Sequence, residues 1–224
     1  MERKLQEELD SLRHRLLDMA AMVEESIGRA VEGLRMRDAE ALENVVRRDA
    51  EVDLAELQVD EMCISLLARH QPMARDLRFV ATALKIVKDI ERVGDIAKSI
   101  ARHGLRLLEE RPIVFPGDLE RMARASRTLL RRALDAFVHQ DSEMARRVTR
   151  EDDEVDELHR RNSLRFVEMM KGDSGLVGPM TQYLSISKLL ERIGDHGTNI
   201  AAMVVYMVEG RDIRHFKKRR AAGE

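Results

Sequence analysis

Apolar residues recur along this chain at alternating steps of three and four positions, which is the spacing of one buried face on an α-helix. In the first stretch this stripe runs from Leu5 and Leu9 to Leu34, with many charged residues between its members. Leu, Ala, Val, Ile and Met make up most of the apolar set, which favours packed helices over a β-sandwich. The pattern predicts one long amphipathic helix that ends near Met36.

Five further helices follow from the same pattern and its interruptions. Their predicted approximate bounds are 38–70, 74–109, 118–139, 141–170 and 179–210. Asp38 and Asp141 are expected to be N-caps, because an aspartate there accepts a hydrogen bond from a free N–H group of the first turn. The predicted breaks are Gln71-Pro72, the stretch 111–117 with its two prolines, and a glycine-rich turn at 172–178.

The two halves of the chain repeat each other. The segment Glu191–Ala201 matches Glu91–Ala101 at six of eleven positions, 100 residues apart. Two earlier segments, 34–40 and 48–53, have counterparts at an offset of 103. The sequence therefore predicts an all-α fold of two tandem, pseudo-symmetric three-helix bundles, six helices in all. The expected units are 1–111 and 112–212, and a basic tail follows at 213–224.

Charge and composition narrow the function. A net charge of −2 differs from the strong basic excess of a dedicated nucleic-acid binder, so no nucleic-acid partner is expected. The single Cys63 excludes an internal disulfide. No uncharged apolar run approaches the ~20 residues of a membrane span, and Met1–Asp10 has no apolar signal-peptide core. We therefore expect a cytoplasmic protein without a transmembrane segment.

Each repeat carries two pairs of acidic residues spaced by four positions, so both carboxylates of a pair share one helix face. In the first repeat the pairs are Asp49 with Asp53 and Glu91 with Asp95. Counted from the predicted turn, the two pairs lie within ~1–2 Å of the same height at a rise of ~1.5 Å per residue. The equivalent residues of the second repeat are Asp152, Asp156, Glu191 and Asp195.

Four carboxylates at one level repel one another unless their charge is neutralised. One remedy is pairing with nearby arginines, of which the sequence offers Arg48, Arg92, Arg150 and Arg192. The other is a hard cation such as Mg²⁺, Ca²⁺, Mn²⁺ or iron, because such ions prefer oxygen ligands. Spacing alone favours the arginines. Gly94 and Gly194 each cost ~1 kcal/mol inside a helix, which indicates a close helix approach or space for a ligand.

Other residues near these motifs are weaker candidates. Asn199 comes four positions after Asp195 and extends the acidic face with a carbonyl oxygen, where the first repeat has Ser99. His196 points ~100° away from that face and is expected at a surface or an interface. The chain has no nucleophile–base set, phosphate-binding loop or dinucleotide fingerprint, so no enzymatic activity is expected.

Three ordered segments carry a family resemblance. They are Gln71–Arg78 (QPMARDLR), Asp89–Asp95 (DIERVGD), and Leu190–His196 (LERIGDH) followed by Asn199-Ile200. With these segments, and over about residues 5–210, the chain resembles the PhoU proteins, which are cytoplasmic regulators of phosphate uptake. The resemblance implies two pseudo-symmetric three-helix bundles and a regulator rather than an enzyme. It also implies an adaptor between the phosphate ABC transporter ATPase and the sensor histidine kinase, which represses the phosphate-starvation response when phosphate is plentiful.

The resemblance further implies a homodimer and a multinuclear metal, often iron or zinc, held by Glu/Asp-x-x-x-Asp motifs. Carried onto this chain, the implied metal ligands are Asp49, Asp53, Glu91, Asp95, Asp152, Asp156, Glu191, Asp195 and Asn199. Once the resemblance is taken into account, metal binding is favoured over arginine pairing as the way the carboxylates are neutralised. Mg²⁺, Mn²⁺ and Ca²⁺ remain alternatives to iron and zinc. Two other functions also stay open: a metal-dependent enzyme or metal store that uses the carboxylate clusters, and an accessory subunit of a low-affinity phosphate transporter.

Overall fold

The computed structural model describes residues 2–210, which form seven α-helices and one short 3₁₀-helix (Ser174–Leu176) without any β-strand. The helices are α1 (Glu2–Met36), α2 (Ala39–His70), α3 (Ala74–Glu109), α4 (Gly117–His139), α5 (Ser142–Val148), α6 (Asp153–Gly172) and α7 (Val177–Glu209). None of these helices is long and apolar enough to cross a bilayer. The all-α prediction is confirmed, and the predicted basic tail 213–224 lies outside the described residues.

The capping hydrogen bonds predicted at two helix N-termini are present in the structure. The Asp38 side chain accepts from the Ala41 N–H at 3.0 Å, and the Asp141 side chain accepts from the Met144 N–H at 2.9 Å. Both aspartates are therefore N-caps, as predicted. Pro179 lies in the first turn of α7, where a missing N–H costs no helical hydrogen bond.

The helix predicted over 141–170 is divided in two at residues 149–152. The N–H groups of Arg150 and Glu151 donate to carbonyls three residues earlier, at 3.0 and 3.1 Å, so the α-helical ladder tightens and ends. The four residues 151–154 (EDDE) are all acidic, and negative charge is more favourable at a helix N-terminus than inside a helix. The equivalent run 48–51 (RDAE) has only two acids and an arginine, and α2 continues through it.

Equivalent helices meet where the two repeats join. Helices α1 to α3 pack on one another, and α5 and α6 each pack on both α4 and α7, which also pack on each other. Between these bundles α3 packs on α7 and α1 packs on α4. One apolar core runs through both bundles. Within this core, near the start of α3 and the end of α4, the rings of Phe79 and Phe137 stack at 14° with centroids 5.1 Å apart. The repeats therefore bury their apolar faces against each other as well as internally.

Cys63 belongs to this core and has no exposed surface. Burial, with a smaller contribution from the charge of Asp60, raises the pKa of the Cys63 thiol to about 12. Since only the thiolate is a strong nucleophile, Cys63 is a packing residue at neutral pH.

Candidate functional site

The first carboxylate cluster (Asp49, Asp53, Glu91 and Asp95) lies along the seam between α2 and α3. On this seam Lys88 contacts Glu56 at 2.5 Å, and Lys98, ten residues later on α3, contacts Asp49. The later residue of α3 thus contacts the earlier residue of α2. The two helices are therefore antiparallel neighbours, as the height comparison between the acidic pairs required.

The carboxylates of the first cluster act on one another electrostatically. Partial burial, followed by repulsion from Asp49 and Asp95, raises the pKa of Asp53, while Lys98 acts in the opposite direction. Partial burial and repulsion from neighbours that include Asp95 and Asp53 raise the pKa of Glu91. Each of these pKa shifts follows from the cost of holding several negative charges in partly desolvated positions. The two predicted acidic faces therefore do meet.

Lys98 lies inside the first cluster, a position that was not predicted from the sequence. Its Nζ donates to Asp49 Oδ2 and lies 3.5 Å from Asp95 Oδ1. The available signal was its position three residues after Asp95, which places both side chains on one face of α3. Arg48, which was predicted to pair with the cluster, instead contacts two glutamates outside it, each at 3.3 Å. The counter-charge here is a lysine.

The second carboxylate cluster (Asp152, Asp156, Glu191 and Asp195) lies between the start of α6 and α7. Asp152 is buried, and the Asp156 N–H donates to its carbonyl at 3.2 Å, so the one-turn spacing of this pair survives the helix break. Partial burial, followed by repulsion from Glu191 and Asp156, raises the pKa of Asp195. Lys188 forms an ion pair with Glu191. These four acids thus occupy positions equivalent to those of the first cluster.

The glycine of each motif lies in tight contact with a side chain of the middle helix or its start. A Cβ atom on Gly194 would lie 3.1 Å from Asp152 Oδ1, and one on Gly94 would lie 3.1 Å from a methyl group of Val52. Of the two interpretations of these glycines, the structure therefore supports a close helix approach. In the second repeat, the side chain that uses this space is a predicted metal ligand.

Both donor sets suit a hard cation chemically, because they consist of carboxylate oxygens, with the Asn199 carbonyl exposed one turn beyond Asp195. As the side chains stand, residues 2–210 contain no group of three or more His, Cys, Asp and Glu residues arranged to hold a metal ion. The carboxylates would have to rotate toward a common point to share one. Metal binding by the nine residues therefore stays a prediction.

His196 lies at the junction of the two repeats, which agrees with its predicted interface position. Its Nδ1 is 2.7 Å from Asp89 Oδ1 on α3, and the histidine is 9% exposed. The equivalent positions of the other repeat are Ile96 and Leu189, which are both apolar. This polar contact therefore has no counterpart at the symmetry-related position and distinguishes the two repeats.

The chain is similar to known proteins along most of its length. The family described as the PhoU domain matches residues 16–103 and again 119–204. The phosphate-specific transport system accessory protein PhoU homolog of Burkholderia sp is 34% identical over 97% of this chain and 94% of its own. The corresponding protein PhoU of Escherichia coli (strain K12) is 32% identical over 93% of this chain and 86% of its own.

Two solved structures share the fold. The crystal structure of PhoU from Pseudomonas aeruginosa has a TM-score of 0.86 and 33% identity, and covers 92% of this chain and 99% of its own. The phosphate transport system regulatory protein PhoU from Streptococcus pneumoniae has the same TM-score at 27% identity, and covers 93% of this chain and 99% of its own. The similarity thus extends over both repeats, and the segments matched to the family, 16–103 and 119–204, span the positions of both carboxylate clusters.

Proposed function

The chain belongs to the PhoU family, and we propose that it acts as an adaptor between the phosphate ABC transporter ATPase and the phosphate-sensing histidine kinase. In this role it represses the phosphate-starvation response when phosphate is plentiful. The carrying observation is similarity over nearly the full length to proteins named as accessory or regulatory parts of phosphate transport. We further propose that it works in the cytoplasm as a homodimer.

The family consists of accessory and regulatory proteins rather than enzymes, which agrees with the expectation from the sequence. A regulator of this kind acts through the partners it binds. The chemistry of its surface is therefore more informative than a search for a reaction centre.

Helix α2 carries an exposed apolar stripe (Leu54, Leu57 and Ile64). These side chains are 57%, 58% and 61% exposed, and their spacing of three and seven places them on one face of the helix. Several large apolar side chains exposed together mark interaction surfaces, whereas single ones are common on any protein. We assign this stripe to partner binding, because an adaptor needs an apolar anchor that its own core does not bury.

Leu57→Glu is expected to abolish capture of the transporter ATPase and the kinase by the tagged protein in extracts of its own cells, because a charge would enter the centre of the contact. Folding should be unaffected, as shown by circular dichroism. Val114→Glu is the matched control, since Val114 is 92% exposed but lies outside the stripe. Capture of neither partner by the wild-type protein, with unchanged phosphate control in a deletion strain, would contradict the adaptor role. Recovery of a low-affinity phosphate transporter instead would favour that alternative.

We also propose that the second carboxylate cluster binds a metal ion, with iron or zinc in a multinuclear site as the expected form. The support is its all-oxygen donor set and the partly desolvated position of Asp195 among like charges. A bound cation would add positive charge beside these carboxylates and so reduce their mutual repulsion. It would also hold the start of α6 against α7, next to Gly194.

Asp195→Asn is expected to lower the metal content of natively purified protein while the fold is retained. The loss of affinity should reach at least the ~10-fold that weaker perturbations of a metal site produce. Elemental analysis measures the metal, and Asp153→Asn is the matched control because Asp153 is an exposed neighbour outside the cluster. Without metal, removing a like charge should stabilise the variant by a few tenths of a kcal/mol. Equal metal content in both variants would remove Asp195 from the site.

A further inference from the structure

We propose that Lys98 is a built-in counter-cation between the two helices of the first carboxylate cluster, and that this cluster therefore takes no metal ion, whereas the second cluster has no lysine at the equivalent position. The inference concerns the side chains of the α2–α3 seam and does not depend on the adaptor role. It divides the two clusters, which the sequence pattern treats as equivalent, into two different kinds of site.

The ammonium of Lys98 lies at the position that a bridging cation would need. It binds Asp49 of α2 on one side and lies 3.5 Å from Asp95 Oδ1 of α3 on the other. Any metal ion that joined the two helices through these carboxylates would have to replace it. The two kinds of cation therefore compete for the same oxygens.

Burial makes this ammonium difficult to replace. The Asp49 side chain is 6% exposed and the Lys98 side chain is 23% exposed, so both charges are largely removed from water. Separating a partly buried ion pair leaves a charge without compensation, which costs far more than breaking a surface pair. A divalent ion beside an ammonium that stays in place would be repelled by it. Of the other acids of this cluster, Glu91 is half-buried, whereas Asp53 and Asp95 are exposed, as Asp156 and Asp195 are in the second cluster.

The second repeat differs at the equivalent position. Thr198 replaces Lys98, and its hydroxyl donates to the Asp195 backbone carbonyl at 2.9 Å. Asp152 replaces Asp49 and is equally buried, at 5% exposed. Lys188, the counterpart of Lys88, contacts Glu191 on its own helix instead of an acid on the middle helix. The second cluster thus keeps the buried carboxylate without a lysine at the position of Lys98.

Lys98→Thr and Thr198→Lys exchange the two positions and test the inference. The probe is Mn²⁺ alone, titrated into metal-free full-length protein, with bound ion measured by electron paramagnetic resonance. Lys98→Thr is expected to gain a class of Mn²⁺ sites that the wild type lacks, and Mn²⁺ should raise its unfolding temperature more than that of the wild type. Thr198→Lys is expected to lose the sites of the second cluster.

Lys88→Thr is the matched control, because it removes the same charge from the same seam but leaves Lys98 in place, and it should add no Mn²⁺ site. A folded Lys98→Thr protein that binds no more Mn²⁺ than the wild type would overturn the inference, whether or not the second cluster binds metal. If Lys98→Thr does not fold, Asp53→Asn in the otherwise wild-type chain decides the question. Unchanged Mn²⁺ binding by Asp53→Asn supports the exclusion of metal from the first cluster, and reduced binding overturns it.

Discussion

Replacing Phe137 with alanine is expected to lower the free energy of unfolding by about 4 kcal/mol. Phe137 is 1% exposed and stacks on Phe79, with which it joins α4 of one repeat to α3 of the other. Truncation removes the buried ring and leaves a cavity that the surrounding close-packed side chains cannot fill. Folded proteins typically have a free energy of unfolding of about 5–15 kcal/mol, so a loss of this size would bring a marginally stable protein close to unfolding.

Urea denaturation followed by circular dichroism measures this loss. Val114→Ala is the control, because Val114 is 92% exposed and should change stability by no more than about 0.5 kcal/mol. Since one core runs through both bundles, wild type and variant should each unfold in a single transition. A loss below 1 kcal/mol for Phe137→Ala, or separate transitions for the two repeats in the wild type, would contradict the shared core.

The second large effect is expected at the contact between Asp89 and His196. Each single substitution, Asp89→Leu or His196→Ile, should destabilise the protein by about 2 kcal/mol, because it leaves the other polar group buried without its partner. The side chains are 14% and 11% exposed, so water cannot fully replace the lost hydrogen bond. The double variant carries the residues of the other repeat at both positions, and it should recover most of the loss, since replacing both partners by apolar groups is nearly neutral.

A double-mutant cycle at neutral pH measures this coupling, which should be about 3 kcal/mol, because the double variant is expected to recover most of two losses of about 2 kcal/mol each. An additive cycle would show that the two side chains do not stabilise each other. It would also mean that the asymmetry between the repeats at this position has no energetic role. A matched pair for comparison is His103 with Gln182, which lie 2.7 Å apart between the same two helices.

The parts of the fold that the sequence predicted are those that depend on local interactions. Helix ends follow from caps such as Asp38 and from prolines, and each of these acts within one turn of itself. The one-turn spacing of each acidic pair is equally local, because it is a property of a single helix. The division of the fifth helix at 149–152 was not predicted, although the acidic run 151–154 that accompanies it is visible in the sequence.

The candidate site was predicted only in part for the same reason. The similar height of the carboxylates on neighbouring helices follows from counting residues from a turn, and the charge of Asp53 contributes to the raised pKa of Glu91. The counter-charge does not follow from counting. Lysine and arginine both offer a positive charge, and whether Lys98 or Arg48 reaches Asp49 depends on how α2 and α3 are rotated about their axes.

By itself, then, the sequence determined the helices, their tandem repetition, the two sets of acidic residues and the family. The tertiary structure decided that Lys98 lies among the first set, that Asp152 packs on Gly194, and that Phe79 meets Phe137 across the repeats. These last contacts join residues that are 42 to 58 positions apart in the chain. They depend on the rotation and approach of packed helices, which are set by the fit of the whole core rather than by any local pattern.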